Sequence, residues 1–220
     1  MNYTYIDMEN YPRRAHFSYF TGMAYPYAGV TVNVDITDWL AAVKKQNRPF
    51  FHSFLYAAAN AANQVREFRQ RILDGRIIEF ERCPGSYTVA LPDGTYCYCN
   101  VDTDMPYTDF LSCAKARQQR AMEQASLDDG AEALSLIFVS SLPWLSYAAI
   151  VQPVPQPADS NPRITWGKYF TQEGKTLIPV SLLCHHALVD GIHFAKFFKA
   201  LDEWLAQMVR EMNNGEAGGY

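Results

Sequence analysis

The stretch RITWGKYFTQEGKTLIPVSLLCHHALVDGIHFAKFFKALDEWLAQMV (Arg163–Val209) holds the pattern that decides the fold. Its first half reads as two strands joined by the turn Glu173-Gly174, the second strand ending near His185-His186. From Gly191 to Val209 apolar residues return at helical spacing, which predicts a closing amphipathic helix. Adjacent histidines on an extended chain point to opposite sides, so one of the pair faces any given pocket. Asp190 stands just before the helix, where a carboxylate meets unpartnered N–H groups and the positive helix end. Gly191 admits backbone angles that other residues resist.

Outward from this stretch, strands and helices intermix. LSLIFVSSL (Leu134–Leu142) is nearly unbroken apolar sequence and predicts a strand buried on both faces. Arg76–Arg82, Ser86–Leu91 and Thr95–Asp102 are strand candidates, the last two separated by the turn Pro92-Asp93-Gly94. Gly29–Thr37 alternates apolar and polar residues as a strand does. Helices are predicted over Asp38–Gln46, with Thr37 as N-cap, and over Ser53–Phe68 and Tyr107–Ala125. The Pro-rich Val151–Pro162 reads as a loop. The economical arrangement is an α/β two-layer sandwich, one mixed sheet covered by helices, in a single domain over residues 1–220.

Composition narrows the function. Hydrophobic residues make up 49% of the 220 and charged residues 19%, which supplies a full core and excludes a disordered chain. A net charge of -4 argues against a nucleic-acid surface. The 14 Tyr and 13 Phe exceed what a core needs, since each buried phenol wants a hydrogen-bond partner, and suggest an aromatic pocket or interface. Five cysteines without framework spacing argue against a disulfide scaffold and for a reducing cytoplasm. Cys97 and Cys99 share one strand face and read as packing residues rather than zinc ligands. The polar N-terminus and the lack of an 18-residue apolar run predict neither a signal peptide nor a membrane span. A metal site would recruit His185, His186, Asp190 and His193. Neighbouring histidines chelate one ion poorly from a strand, and no second cluster stands elsewhere, so no metal is expected.

His-His-x-x-x-Asp-Gly on a strand–loop–helix, here His185 to Gly191, resembles the active-site motif of the CoA-dependent acyltransferases. Three stretches narrow the likeness: MNYTYIDMENYPRRAHFSYF, LSLIFVSSLPWLSY (Leu134–Tyr147) and Thr165–Phe198. On these the chain is similar to the chloramphenicol acetyltransferase family along essentially its whole length. The resemblance implies the CoA-dependent acyltransferase fold and transfer of acetyl from acetyl-CoA to a hydroxyl of chloramphenicol or a similar small molecule.

It also implies residue roles. His186 becomes the general base. An imidazole with an ordinary pKa near ~6.5 suits the removal of a proton from an attacking hydroxyl. The family fixes that ring through the histidine's own backbone carbonyl. Asp190 would pair with Arg13, or less well Arg14, to hold the loop. The family's oxyanion serine falls at Ala149, a departure that leaves Tyr147 or Thr165 as alternative donors. The acceptor pocket would draw on Tyr19, Phe20, Tyr25, Tyr96, Tyr98 and Ile150. The CoA channel would use Phe51, Lys168 and Tyr169. The family is a homotrimer with sites shared between subunits. Two other readings stay open: an acyltransferase for a different hydroxyl acceptor, favoured by Ala149, and a non-catalytic binder of CoA or a small molecule.

Overall fold

A computed structural model describes residues 2–214. Its strands are β1 (Tyr3–Tyr5), β2 (Tyr27–Asp35), β3 (Gln70–Leu73), β4 (Arg76–Phe80), β5 (Gly85–Ala90), β6 (Tyr96–Val101), β7 (Ile137–Leu142), β8 (Arg163–Gly167), β9 (Phe170–Gln172) and β10 (Lys175–His185). The α-helices are α1 (Arg14–Thr21), α2 (Thr37–Lys45), α3 (Phe50–Gln64), α4 (Tyr107–Glu123) and α5 (Gly191–Asn214). The main sheet runs β2-β10-β8-β7-β5-β6, with β9 added on β10. It is mixed, because β5–β7 and β7–β8 pair in parallel and the other pairs are antiparallel.

Alternation along the strands separates two faces. One carries Ile178, Val180, Leu182 and Cys184 of β10, Ile164 and Trp166 of β8, Ile137 and Val139 of β7, Tyr87 and Val89 of β5, and Cys97 and Cys99 of β6, all buried. These join one hydrophobic cluster with Trp39 of α2, Phe54 and Ala58 of α3, Phe110 of α4 and Phe197 and Leu201 of α5. Cys97 and Cys99 are indeed packing residues, and all five cysteines are free. The opposite face bears Ser181, Thr165, Arg163, Ser140, Phe138, Ser86, Thr88, Tyr98 and Tyr96, brought side by side by strand register. Among the described residues no helix covers this hydroxyl-rich face. The segment 143–162, which forms neither helix nor strand, crosses part of it instead.

The structure departs from the sequence reading at several places. β7 is not buried on both faces: Ile137 and Val139 are buried while Phe138 and Ser140 are only half-buried on the open side. Ordinary β alternation therefore prevails over the apolar run, whose first residues belong to a 3-10 turn at Gly130–Ser135. Thr37 is the first residue of α2 and the N-cap position is Ile36; Asp35, just before it, accepts at Oδ1 from the Thr37 N–H at 3.0 Å and hydroxyl at 2.6 Å. α3 begins at Phe50 after Pro49 and ends at Gln64, short of Phe68. A 3-10 turn at Arg66–Arg69 follows, then β3, which pairs with β4 around Asp74 (φ 48) and Gly75 (φ 71), and β1 completes a separate three-stranded sheet. The predicted first strand after Arg163 breaks at Gly167. A Cβ there would lie 2.6 Å from the Leu145 carbonyl oxygen and 2.8 Å from the Tyr147 ring, so the crossing segment requires glycine.

Arg71 ties the small sheet to the main one. Its guanidinium is fully buried and donates to the carbonyls of Phe68, Gln70, Leu134, Ser135 and Leu136. The Leu134, Ser135 and Leu136 carbonyls lie at the end of the Gly130–Ser135 turn and the entry to β7, and those of Phe68 and Gln70 at the entry to β3, so one side chain satisfies buried acceptors of both sheets.

Candidate active site

β10 delivers the histidine pair to the end of the sheet beside β2. The two side chains diverge as strand alternation requires. His185 is buried, 5.8 Å from the Tyr27 ring, and burial holds its imidazole down to about 4. His186 continues the ladder through its N–H, which donates to the Pro26 carbonyl at 2.7 Å. Its half-buried ring lies on Phe20, with centroids 3.9 Å apart and planes 33° apart. Nδ1 is 2.9 Å from the Val189 carbonyl oxygen. A carbonyl only accepts, so Nδ1 carries the proton and Nε2 keeps its lone pair. Among the described residues no group is hydrogen-bonded to Nε2. The expected fixing group was the histidine's own carbonyl. Here that oxygen instead accepts from Arg13 at 3.3 Å, and the turn folds back so that Val189 holds the ring.

Arg13 also forms an ion pair with Asp190, without touching the His186 ring. Asp190 Oδ1 accepts the Ile192 N–H at 3.2 Å, capping α5. Gly191 opens that helix without a left-handed backbone, so its conformational freedom goes unused. Arg14 is exposed and starts α1. The buried His193 adds support that sequence reading did not assign: its Nδ1 lies 3.0 Å from the Asp190 N–H, and its Nε2 lies 3.5 Å from Glu67. The hydrogen bond to His193 holds the Glu67 carboxyl down to about 2. The available signal was the i,i+3 spacing of Asp190 and His193 around the helix start.

A groove of about 1070 Å³ is lined both by residues of the uncovered sheet face and by Phe51, His52 and Gln118 from the helix-covered side. Five of the sequence candidates, Tyr96, Tyr98, Thr165, Ile150 and Phe51, line it. Burial pushes the Tyr98 hydroxyl up, so it stays protonated. Thr165 is buried, and its hydroxyl accepts from the Gln152 amide at 3.0 Å. Gln152 lies in the Pro-rich loop and was not legible as a site residue.

Other candidates fall elsewhere. Phe20 belongs to the His186 cluster, while Tyr19 and Tyr25 are exposed nearby, their rings beside Phe20 and Tyr27. Ala149 is exposed. Tyr147 lies in segment 143–162, which is not a strand. Its hydroxyl donates to the Thr165 carbonyl at 3.1 Å and accepts from Ser181 at 3.3 Å, so it is bound into the sheet. Lys168 and Tyr169 are exposed together, and the Tyr169 ring packs near Phe50 rather than Phe51.

His186 and the groove are therefore apart within one chain. Thr165 pairs with Ser181 of β10, and His186 lies five residues further. At ~3.3 Å per residue that is roughly 16 Å. None of His186, Arg13, Asp190 or Phe20 lines the groove.

Among the described residues no helix is long and apolar enough to cross a membrane, and no cluster of His, Cys, Asp and Glu forms a metal-binding group. Over residues 1–202 the sequence matches the profile of the chloramphenicol acetyltransferase family. A chloramphenicol acetyltransferase from a Klebsiella species is 30% identical over 212 residues, spanning 92% of this chain and 95% of the relative. A solved chloramphenicol acetyltransferase superposes with a TM-score of 0.80 at 24% identity, over 93% of this chain and 100% of the other. The cubic core of the pyruvate dehydrogenase multienzyme complex shares the fold at TM-score 0.67 and 19% identity, over 90% of this chain and 88% of the other. The helix-covered mixed sheet is thus the CoA-dependent acyltransferase fold, and the chain belongs to the chloramphenicol acetyltransferase family, whose members are acyltransferases.

Proposed function

We propose that the protein is an O-acetyltransferase that moves acetyl from acetyl-CoA to a hydroxyl of chloramphenicol or a similar small molecule, with His186 as general base. The observation that carries this reading is the Val189 carbonyl on Nδ1, which leaves the Nε2 lone pair available beside Phe20. Nε2 takes the acceptor's hydroxyl proton as that oxygen bonds to the thioester carbon. The C–S bond then breaks, and the imidazolium returns the proton to the departing sulfur. Acetyl ester and free CoA thiol result, and His186 is again neutral.

Arg13 and Asp190 hold the turn that aims the ring. Thr165, whose hydroxyl accepts from Gln152, retains its own proton to donate toward the oxyanion or a water at it. Tyr147 has already committed its proton to a backbone carbonyl. Lys168 offers a cation for a CoA phosphate, with Tyr169 and Phe51 as apolar surfaces along the channel.

The separation of base and groove supports a homotrimer in which His186, Phe20, Tyr19 and Tyr25 of one copy face Tyr96, Tyr98, Thr165 and Ile150 of the next. The exposed Trp144 (75%) and Val151 (94%), beside the groove, are apolar surface that such an assembly would cover. Five free cysteines support a cytoplasmic location. The hydrophobic cluster reaching from Phe17 to Met212 supports one domain over residues 1–220.

Ala149 favours a second reading, an acyltransferase whose acceptor is a different alcohol. The test is release of CoA thiol from acetyl-CoA with chloramphenicol and then with a panel of small alcohols. Release with chloramphenicol supports the first reading, and release with other alcohols alone supports the second. No release with any acceptor overturns both in favour of a non-catalytic binder.

A further inference from the structure

Among the described residues the groove contains one charge without an ionic partner. Its ionisable lining consists of His52, Tyr87, Tyr96, Tyr98, Asp129 and Arg163. Arg163 is occupied: it forms a bidentate pair with Asp159, at 2.9 and 2.7 Å, and lies 5.4 Å from the Phe138 ring. Burial lowers the His52 pKa, favouring the neutral ring, and its Nε2 is 3.0 Å from Gln118. Burial also pushes the Tyr87 and Tyr98 hydroxyls up. Asp129 remains as the groove's carboxylate. Its Oδ1 accepts from the Ser86 hydroxyl at 2.5 Å, while among the described residues no donor is hydrogen-bonded to Oδ2 and no cation is paired with it.

This is not a loose surface aspartate. Ser86 is buried on β5 and orients the carboxylate. The loop is pinned to β6 by the Tyr98 N–H, which donates to the Ser126 carbonyl at 2.9 Å. It turns at Gly130 (φ 66), whose N–H donates to Asp128 at 2.8 Å. Desolvation raises the carboxyl's pKa, and the neighbouring Asp128 adds to the rise. A half-buried anion with one neutral donor is incompletely compensated. A cation supplied by a bound molecule would complete it through a charge-assisted hydrogen bond, whereas a neutral molecule would leave the charge in place.

From this arrangement we infer that Asp129 selects acceptors that carry a protonated amine near the hydroxyl. The inference deepens the acyltransferase reading and rests on it for the hydroxyl. Asp129 acts here as a specificity residue in the groove, with Ser86 as its orienting partner.

A matched pair of acceptors tests it: chloramphenicol, a neutral amide, and its deacylated parent 2-amino-1-(4-nitrophenyl)propane-1,3-diol, which keeps both hydroxyls and carries a protonated amine at neutral pH. The quantity read is the ratio of kcat/KM for amine over amide, from CoA thiol release. Asp129→Asn keeps the shape and an oxygen for Ser86. The ratio is expected to fall by about tenfold or more in Asp129→Asn relative to the unaltered protein. A ratio within twofold overturns the inference, also if the variant alters the oligomeric state. Equilibrium binding of the amine to His186→Ala, with and without Asp129→Asn, separates the two claims. Weaker amine binding on losing the carboxylate upholds the Asp129 site even where no acceptor is acetylated, and equal binding overturns it.

Discussion

The imidazole Nδ1 of His186 lies 2.9 Å from the carbonyl oxygen of Val189, three residues along the same turn. That contact fixes the tautomer, because the carbonyl has no proton to give. Its geometry depends on the turn, and the turn is held from outside by Arg13. The Arg13 guanidinium spans the Asp190 carboxylate at one end of the turn and the His186 carbonyl at the other.

Arg13→Ala releases both ends at once. kcat is expected to fall by about 10²-fold through misplacement of the base, with KM for acetyl-CoA little changed. Arg13→Lys restores only part of this, since an ammonium lacks the planar fork that reaches both acceptors. Steady-state kinetics of the two variants check it, and an Arg13→Ala enzyme at full kcat would show that the clamp is dispensable.

By the resemblance, Ala149 stands where an oxyanion-binding hydroxyl is expected. Ala149→Ser is expected to raise turnover of chloramphenicol by tenfold or more, since a single oxyanion donor is worth about 10²–10³ in rate. An unchanged rate would mean that Thr165, held by Gln152, already fills the role. Thr165→Val would then abolish the remaining activity.

Acid stability follows from His185. Burial holds its folded imidazole at about 4, against about 6.5 in an unfolded chain. Between those values the unfolded state takes up a proton that the folded state refuses, so stability falls as pH drops from about 6.5 to about 4. His52, also lowered by burial, acts in the same direction. Glu67, held at about 2, contributes stability above its ordinary range near 4.5 that is lost below it. Urea midpoints measured from pH 7 to pH 4 are expected to decline less steeply for His185→Gln than for the unaltered protein. Equal slopes would exclude His185 as the source.

Arg71 makes a separate prediction about the scaffold. Arg71→Met keeps the bulk and deserts the carbonyls of Phe68, Gln70, Leu134, Ser135 and Leu136. Each buried acceptor left unpaired is costly, and a loss of roughly 3–5 kcal/mol is expected in urea unfolding. A loss below 1 kcal/mol would mean that water replaces the guanidinium.

Local signals in the sequence reached the main sheet and its helices because period-2 and period-3.6 patterns are set by which face is buried, as with Val180 and Leu182 on β10. They did not reach β3, four residues that form a strand only by pairing with β4. The apolar run at β7 misled for a related reason: Phe138 is half-buried by the fold's own groove, which no local pattern records. At the site, the motif pointed to His186 and Asp190 and the resemblance added Arg13, three residues that the fold links by backbone turn and ion pair. Val189, Gln152 and Asp129 were out of reach. Val189 acts through a carbonyl that every residue has, and the other two stand on loops whose course is set by distant strands.

Measurement of CoA thiol release by His186→Ala tests the base assignment most directly, at saturating acetyl-CoA and acceptor, beside its urea midpoint and sedimentation. The account predicts a drop of about 10³-fold or more in kcat with folding and assembly retained. A variant that keeps its turnover within tenfold of the unaltered protein would contradict it.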